Sequence, residues 1–397
     1  MPSILEDARA IQDDLVALRR SLHREPEIGL DLPLTQAKVL AALDGLPLEI
    51  TRGGKCSSVT GVLRGAHPGP TILLRGDMDA LPVQEASGVE YASTIPGRMH
   101  ACGHDLHTAG LVGAARLLSA RRDDLHGRVV FMFQPGEEGF GGAAIMLDEG
   151  VLDAAGPPVD YAFALHVSAG RIPYGVVAAK PGPAYSAAAQ FSVTIEGSGG
   201  HGAFPHTALD PVPVLCEIVL AIQNFVTRRF DAFDPVVITV GHLSAGTAPN
   251  VIPATARFDA TVRCFSEPNQ TRLQSALPNL AHGIASAHGL QAHCEYTLGY
   301  PVLLNDPAQT KSALTLARTL FGPDLSTEHP TPAGASEDFA YILQRVPGAM
   351  LTLGATPPHL DPTTAPDNHS PEAVFDDSVL WRQAALLAEL AMNSPLA

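Results

Sequence analysis

Three short apolar runs, each ending in polar residues, constrain this chain more than any other feature. They are TILLR at 71–75, RVVFMFQ at 128–134 and YAFALH at 161–166. Each is short and closely bounded by turn residues, so each reads as a buried strand rather than a helix. Helical patterns at 107–120 and 143–149 separate them. Strands alternating with helices build a mostly parallel sheet covered on both faces. Gly76-Asp77-Met78-Asp79 follows the first run, Pro135-Gly136-Glu137-Glu138 follows the second, and His166 closes the third. Binding sites in open α/β sheets form beyond the C-terminal ends of the strands. The same three runs therefore specify both an interior and a place for chemistry.

Elsewhere the periodicity predicts a helix over 8–24, with Ile11, Leu15, Leu18 and Leu22 on one face and Pro26 stopping it. A second helix is expected over 35–43, then an alternating strand in SSVTGVLRG and a turn at 67–70. The pattern changes after Pro183. Alternating strands at 190–196, 236–241, 254–264 and 291–300 are interleaved with helices at 213–229 and 269–288. Strand–helix–strand–strand–helix–strand is the ferredoxin-like order. The expected fold class is α/β, in two domains. A discontinuous catalytic domain (1–183 and 299–397) carries an inserted ferredoxin-like α+β domain (184–298). A length of 397 residues suits two domains better than one.

Charge and cysteine content exclude several function classes. The formal net charge is −16, with 25 Lys and Arg against 41 Asp and Glu, and no basic cluster is present. A duplex binder needs a basic footprint, so no nucleic-acid partner is expected. Five scattered cysteines do not make a disulfide framework. The charged N-terminal stretch lacks the apolar core of a secretory signal, and no membrane association is expected. A cytoplasmic protein is the expectation. There is no phosphate-binding loop and no nucleophile elbow.

MHACGHDLH at 99–107 is the densest chemical signal, with His100, Cys102, His104, Asp105 and His107 close together. Thiolate and imidazole are good ligands for zinc and other late divalent metals, and Cys-x-His in a loop lets both converge on one ion. Glu137 and Glu138, just past a buried strand, can diverge. One can reach a metal while the other takes a proton from water. Asp77 and Asp79 could bind metal, orient a histidine or cap a helix. Asp367-Asn368-His369-Ser370-Pro371 adds a polar loop, and Ser336-Glu337-Asp338 reads as a helix N-cap with acidic residues behind it.

Taken together, these blocks resemble the M20 metallopeptidase superfamily, in its branch of hippurate hydrolases and N-acyl- or indoleacetyl-amino-acid amidohydrolases. The resemblance rests on RGDMDALPVQE (75–85), MHACGHDLHTAG (99–110), FQPGEEG (133–139), ALHV (164–167), GGHGAFPHTALDPV (199–212), APNVIPATARFDATVR (248–263), GASEDF (334–339) and NHSPEAVFDD (368–377). It implies hydrolysis of the amide bond of N-acyl amino acids, with two divalent metal ions per subunit, zinc, manganese, cobalt and nickel all suiting the ligands. Cys102, His104, Glu138, His166 and His369 would be those ligands. Glu137 would be the general base and Asp79 would orient a ligand. A histidine of the wider superfamily is replaced here by Asp77. The inserted domain would make a homodimer and help close the cleft. His201 would polarise the scissile carbonyl, often from the partner subunit. Asn250 and Arg263, with His206, would hold the substrate. A dipeptidase, a carboxypeptidase or a deacetylase of N-acetyl diamino acids are alternatives within the superfamily. A non-catalytic binding protein is the alternative outside it.

Overall fold

The computed structural model describes residues 3–393; residues 1–2 and 394–397, which the 1–183 and 299–397 spans include, lie outside the described residues. The chain gathers into two compact units. The first takes residues up to Ala184, Leu304–Thr331 and residues from Asp338 onward, and the second takes Tyr185–Leu303 and Pro332–Glu337. The second unit thus runs past the expected boundary and recruits 332–337. Ser186 explains this, since its N–H donates to the carbonyls of Ala333 and Ala335.

The strands of the first unit are β1 (Glu49–Arg52), β2 (Val59–Arg64), β3 (His67–Asp77), β4 (His126–Gln134), β5 (Tyr161–Ser168) and β6 (Val177–Ala179). β7 (Gly182–Tyr185) and β14 (Leu303–Asn305) are the chain's crossings between units, and β15 (Ser326–Glu328) and β16 (Gly348–Gly354) follow. They form an eight-stranded mixed sheet in the order β1-β2-β4-β3-β5-β16-β6-β15, the two crossings excepted. Its centre, β4-β3-β5-β16, is parallel. The sequence 67–70 is not a free turn. It is the start of β3, bulged between His67 and Thr71 against β4.

Helices α1 (Ile4–Ala10), α2 (Gln12–Arg24), α3 (Pro33–Leu43), α4 (His104–Ala120) and α5 (Gly142–Asp148) pack with this unit, as do α8 (Pro307–Phe321), α9 (Ala340–Leu343) and α10 (Leu380–Met392). The expected single helix over 8–24 is two helices that break at Ile11. Ser3 and Glu6 form a reciprocal capping box that starts α1 early. Such a cap is worth about 1 kcal/mol, and apolar periodicity does not register it. The Glu27 carboxylate accepts from the N–H groups of Leu34 and Thr35 at the start of α3. α4 is buried nearly all round, as a helix at the centre of a core must be. Gly113 lets α10 and α2 approach it, since a Cβ there would lie 2.7 Å from the Ala384 methyl and 2.8 Å from Leu15. The chain's two ends interlock. Gln12 Nε2 donates to the Asp377 carbonyl at 2.9 Å, and the Trp381 N–H donates back to Gln12 Oε1 at 2.8 Å.

The second unit contains β8 (Ala187–Glu196), α6 (Pro211–Arg229), β10 (Val236–Ala245), β12 (Thr255–Cys264), α7 (Glu267–Ala287) and β13 (Gln291–Leu298). The sheet is antiparallel in the order β10-β12-β8-β13, the ferredoxin-like arrangement. β8 alternates buried Phe191, Val193 and Ile195 with more exposed neighbours, so only one face is apolar. α6 and α7 cover that face through Leu215, Ile218, Leu273 and Leu277. By length and composition α6 could cross a membrane. Here its apolar stripe is buried against the sheet. β9 (Gly200–His201) and β11 (Val251–Ile252) form a small ribbon beyond the Thr255 end of β12.

Candidate metal centre

The parallel strands bring their polar ends to one edge. Asp77 and Asp79 come from the end of β3, Glu137 and Glu138 from the loop after β4, and His166 from the last turn of β5. Cys102 and His104 sit at the entry to α4, which begins three residues earlier than the sequence pattern suggests, so His104 is its first residue rather than part of a loop. Gly103 makes this entry possible. It caps α4 with φ at +83°, and a Cβ there would come within 2.4 Å of Val167. The Cys-Gly-His spacing is thus a backbone requirement as well as a ligand pattern.

Five side chains converge. Cys102, His104 and His166 offer one atom each within 4.8 Å of one another, and so do Cys102, Glu138 and His369. Cys102 Sγ lies 3.4 Å from His166 Nε2 and 3.3 Å from His369 Nε2, and His369 Nε2 is 3.2 Å from Glu138 Oε1. Two of the imidazoles are fixed from behind. His104 Nδ1 donates to the Asp79 carbonyl and His166 Nδ1 to the Val167 carbonyl, both at 2.8 Å. That places the Nε2 lone pairs toward the cluster, as metal-binding histidines require. His104 Nε2 is buried and makes no hydrogen bond within the described residues. A buried, unpartnered imidazole nitrogen facing a thiolate and a carboxylate fits a divalent cation.

The electrostatics agree with that fit. Burial would raise the Cys102 thiol, but His166 and His104 beside it hold it well below its ordinary value. Burial would lower His104, yet Asp77 and Cys102 raise it well above its own. Hydrogen bonds to Cys102 and Glu138 push His369 up to about 10. A cation bound among these groups would favour a deprotonated thiol and neutral imidazoles.

Asp79 sits directly behind the cluster. Its carboxylate accepts from the N–H groups of Glu137 and Glu138, each at 3.0 Å. It therefore positions both glutamates, and it grips His104 through its main-chain carbonyl. Glu137 is buried, and it groups with His104 and Glu138 within 4.8 Å. Asp77 has both oxygens in use. One accepts from His107 Nδ1 and the other from Arg75. His107 Nε2 in turn accepts the Val167 N–H at 2.8 Å. Both nitrogens of His107 are committed, so it braces β5 against β3 instead of offering a lone pair to the cluster. Asp338 reaches beyond its own segment, where Phe339 is the N-cap of α9. It accepts from Arg75, Gln134 and the Ala143 N–H at the start of α5. Arg75 and Gln134 had no reading from sequence, where the polar ends of TILLR and RVVFMFQ were the available signal.

A second buried polar group supports α4 from the other side. His23 points Nδ1 at Asp105 (2.7 Å) and Nε2 at Glu85 (3.2 Å), and Arg19 also pairs with Asp105 at 2.7 Å. Burial would lower the His23 pKa, but Asp105 and then Glu85 raise it above its ordinary value. A group whose pKa is raised on folding adds stability below its unfolded pKa, about 6.5. That contribution is lost as pH rises through the raised value. His23→Gln should cost on the order of 3–5 kcal/mol in mildly acidic buffer. The Tm gap between parent and variant should narrow as pH climbs above neutrality, and a gap that widens with pH would contradict this.

In the second unit, His201 and Asn250 lie together on the small ribbon. The Gly202 N–H donates to the Asn250 carbonyl at 2.8 Å, and both side chains are exposed. His201 Nδ1 accepts the Ala203 N–H at 3.1 Å, which leaves the ring proton on an outward Nε2. His206 is exposed in the neighbouring turn. Arg263 is not with them. It pairs with Ala188 at the opposite end of β12, some eight residues or roughly 27 Å along the strand from Thr255.

A model of peptidase family M20/M25/M40 matches residues 73–393. The chain belongs to that family. Thermostable carboxypeptidase 2 of Saccharolobus solfataricus is 35% identical over 98% of this M20 chain and 97% of that relative. The IAA-amino acid hydrolase ILR1-like 2 of Arabidopsis thaliana is 35% identical over 98% of this chain and 88% of its own. The crystal structure of a dinuclear metal-binding M20 peptidase from Bacillus subtilis superposes with a TM-score of 0.83, at 31% identity over 97% of this chain and 98% of that one. As an M20 protein, the chain is a metal-dependent hydrolase acting on amide bonds.

Proposed function

We propose that this M20 hydrolase cleaves the amide bond of N-acyl amino acids, releasing a carboxylic acid and a free amino acid. Arg263 carries the substrate reading. Its guanidinium is half-buried, and Nη1 is buried with no hydrogen-bond partner within the described residues. Leaving a buried charged donor unpaired is costly, and a planar guanidinium suits a carboxylate. A free amino acid end on the substrate would meet that need.

In this reading Cys102, His104, Glu138, His166 and His369 would hold two divalent cations, with Cys102 shared between the two overlapping ligand groups. Bound there, the cations would lower the pKa of water and polarise the scissile carbonyl. Glu137, held by its N–H on Asp79, takes the proton from the attacking water and hands it to the leaving amine. His201 donates its Nε2 proton to the carbonyl oxygen as charge develops there. Arg263 holds the substrate carboxylate, while Asn250, beside His201 on the ribbon, would contact the substrate in the site that His201 serves, with His206 bordering the ribbon.

The separation of His201 from Arg263 supports a homodimer, with His201 serving the site of a second copy. Exposed Phe204, Leu209 and Val251 surround the ribbon and are candidates for burial in such an interface. A monomer by light scattering that keeps full activity would overturn the dimer. A cytoplasmic location is part of the same reading, supported by five cysteines that are all unpaired.

Amine release from a panel of N-acetyl and N-benzoyl amino acids, dipeptides and N-acetyl diamino acids tests the substrate class. Each should be run with a free and with an amidated carboxyl end. Chelation should abolish turnover, and zinc, manganese or cobalt should restore it. Arg263→Lys should raise KM for free-carboxyl substrates and leave amidated ones unchanged. Equal rates on amidated and free substrates, or a clear preference for dipeptides, would replace this reading with a peptidase one.

A further inference from the structure

His369 is one of two non-glycine residues with positive φ among the described residues, at +71°. A histidine in this left-handed region is uncommon, and surrounding structure must hold it there. The hold comes from its neighbours. The His369 N–H donates to the Ala101 carbonyl at 2.8 Å. Asn368 does the rest. Its Oδ1 accepts the Ala169 N–H at 2.9 Å, and its Nδ2 donates to the carbonyls of Val167 (3.0 Å) and Cys102 (3.2 Å). The same nitrogen lies 3.9 Å from Cys102 Sγ. One amide thus ties the loop before α10 to the segment after His166 and to Cys102 itself. Of the five converging side chains, Cys102 carries one of the carbonyls that Asn368 holds, His166 is next to the other, and His369 is next to Asn368 itself.

We propose that Asn368 is a positioning residue for the metal centre, fixing the spacing of Cys102, His166 and His369 through the two carbonyls that its Nδ2 holds and keeping that nitrogen beside the Cys102 sulfur. The proposal rests on the ligand set given above. The side chain is suited to this because it offers one acceptor and two donors on a single rigid plane. Aspartate has the same shape and keeps the acceptor for Ala169, but it cannot donate to the two carbonyls or to sulfur. Serine is too short to span them.

The test uses full-length Asn368→Asp and Asn368→Ala, with folding checked by circular dichroism. Because Asn368 is only half-buried, the isosteric aspartate variant is expected to fold and decides the matter if the alanine variant does not. Metal affinity is read by competition with a chromophoric chelator, and the cobalt-loaded proteins are compared by their thiolate-to-cobalt charge-transfer absorption. Both variants should bind metal about 10- to 100-fold more weakly, the usual range for losing a group that orients ligands. The charge-transfer band should shift or weaken in both. Parent-like affinity and band in folded Asn368→Asp would overturn the proposal, even if its Tm fell, because that pattern belongs to a purely structural role. A Cys102→Ser control separates the two readings. If it binds metal like the parent, the ligand set itself is wrong.

Discussion

Glu137→Gln should lower kcat at least about 100-fold while KM moves little, since general acid–base catalysis contributes about 100- to 10,000-fold. The substitution keeps the size of the side chain and the main-chain bond from residue 137 to Asp79. Only basicity is lost. Glu138→Ala should fail differently, because its carboxylate is within reach of His369 in the ligand cluster. Its metal content should fall, and excess metal should recover part of the activity. Metal analysis and kcat measured side by side on the two variants give the answer. A Glu137→Gln enzyme with full metal and more than half the parent kcat would remove Glu137 from the proton path.

The second large effect tests whether two copies of the chain share a site. His201→Ala should lose about 100- to 1,000-fold in kcat, as enzymes do on losing a donor to a developing oxyanion. If His201 serves the partner's site, co-expressing His201→Ala with Glu137→Gln should restore activity. In a twofold dimer each mixed pair contains one intact site, so random pairing recovers about a quarter of the parent rate. Two inactive variants that stay inactive together, while mixed dimers are demonstrably present, would place His201 outside the partner's chemistry.

Much of this was legible in sequence because the physics is local. Short apolar runs ending in Asp77, Gln134 and His166 specify strands and where their polar ends go. The alternation from 190 onward separates a half-exposed sheet from a buried one. What stayed hidden depends on partners far along the chain. His107 sits among ligand-like residues, and only the geometry shows both of its nitrogens taken by Asp77 and Val167. Asp338 looks like a local cap, while its partners Arg75 and Gln134 lie more than 200 residues away. Apolar periodicity runs straight through Ile11, so it cannot report the helix break there. Gly103 reads as a loop residue because glycine commonly marks loops, and here it starts a helix.

The contact between Gln12 and the Asp377–Trp381 stretch sets an order of events during synthesis. Residues 185–303 and 332–337 form a unit of their own, and all of them leave the ribosome before α10 is made. The large unit cannot close in that interval. Its opening helices wait for α10, and Cys102 waits for His369. A chain interrupted after the second unit would therefore carry a finished ferredoxin-like module joined to an exposed apolar surface. It would aggregate, and it would hold metal with an incomplete ligand set. Synthesis through α10 brings Trp381 to Gln12 and His369 to Cys102 at the same stage, so the core and the candidate cluster are completed together.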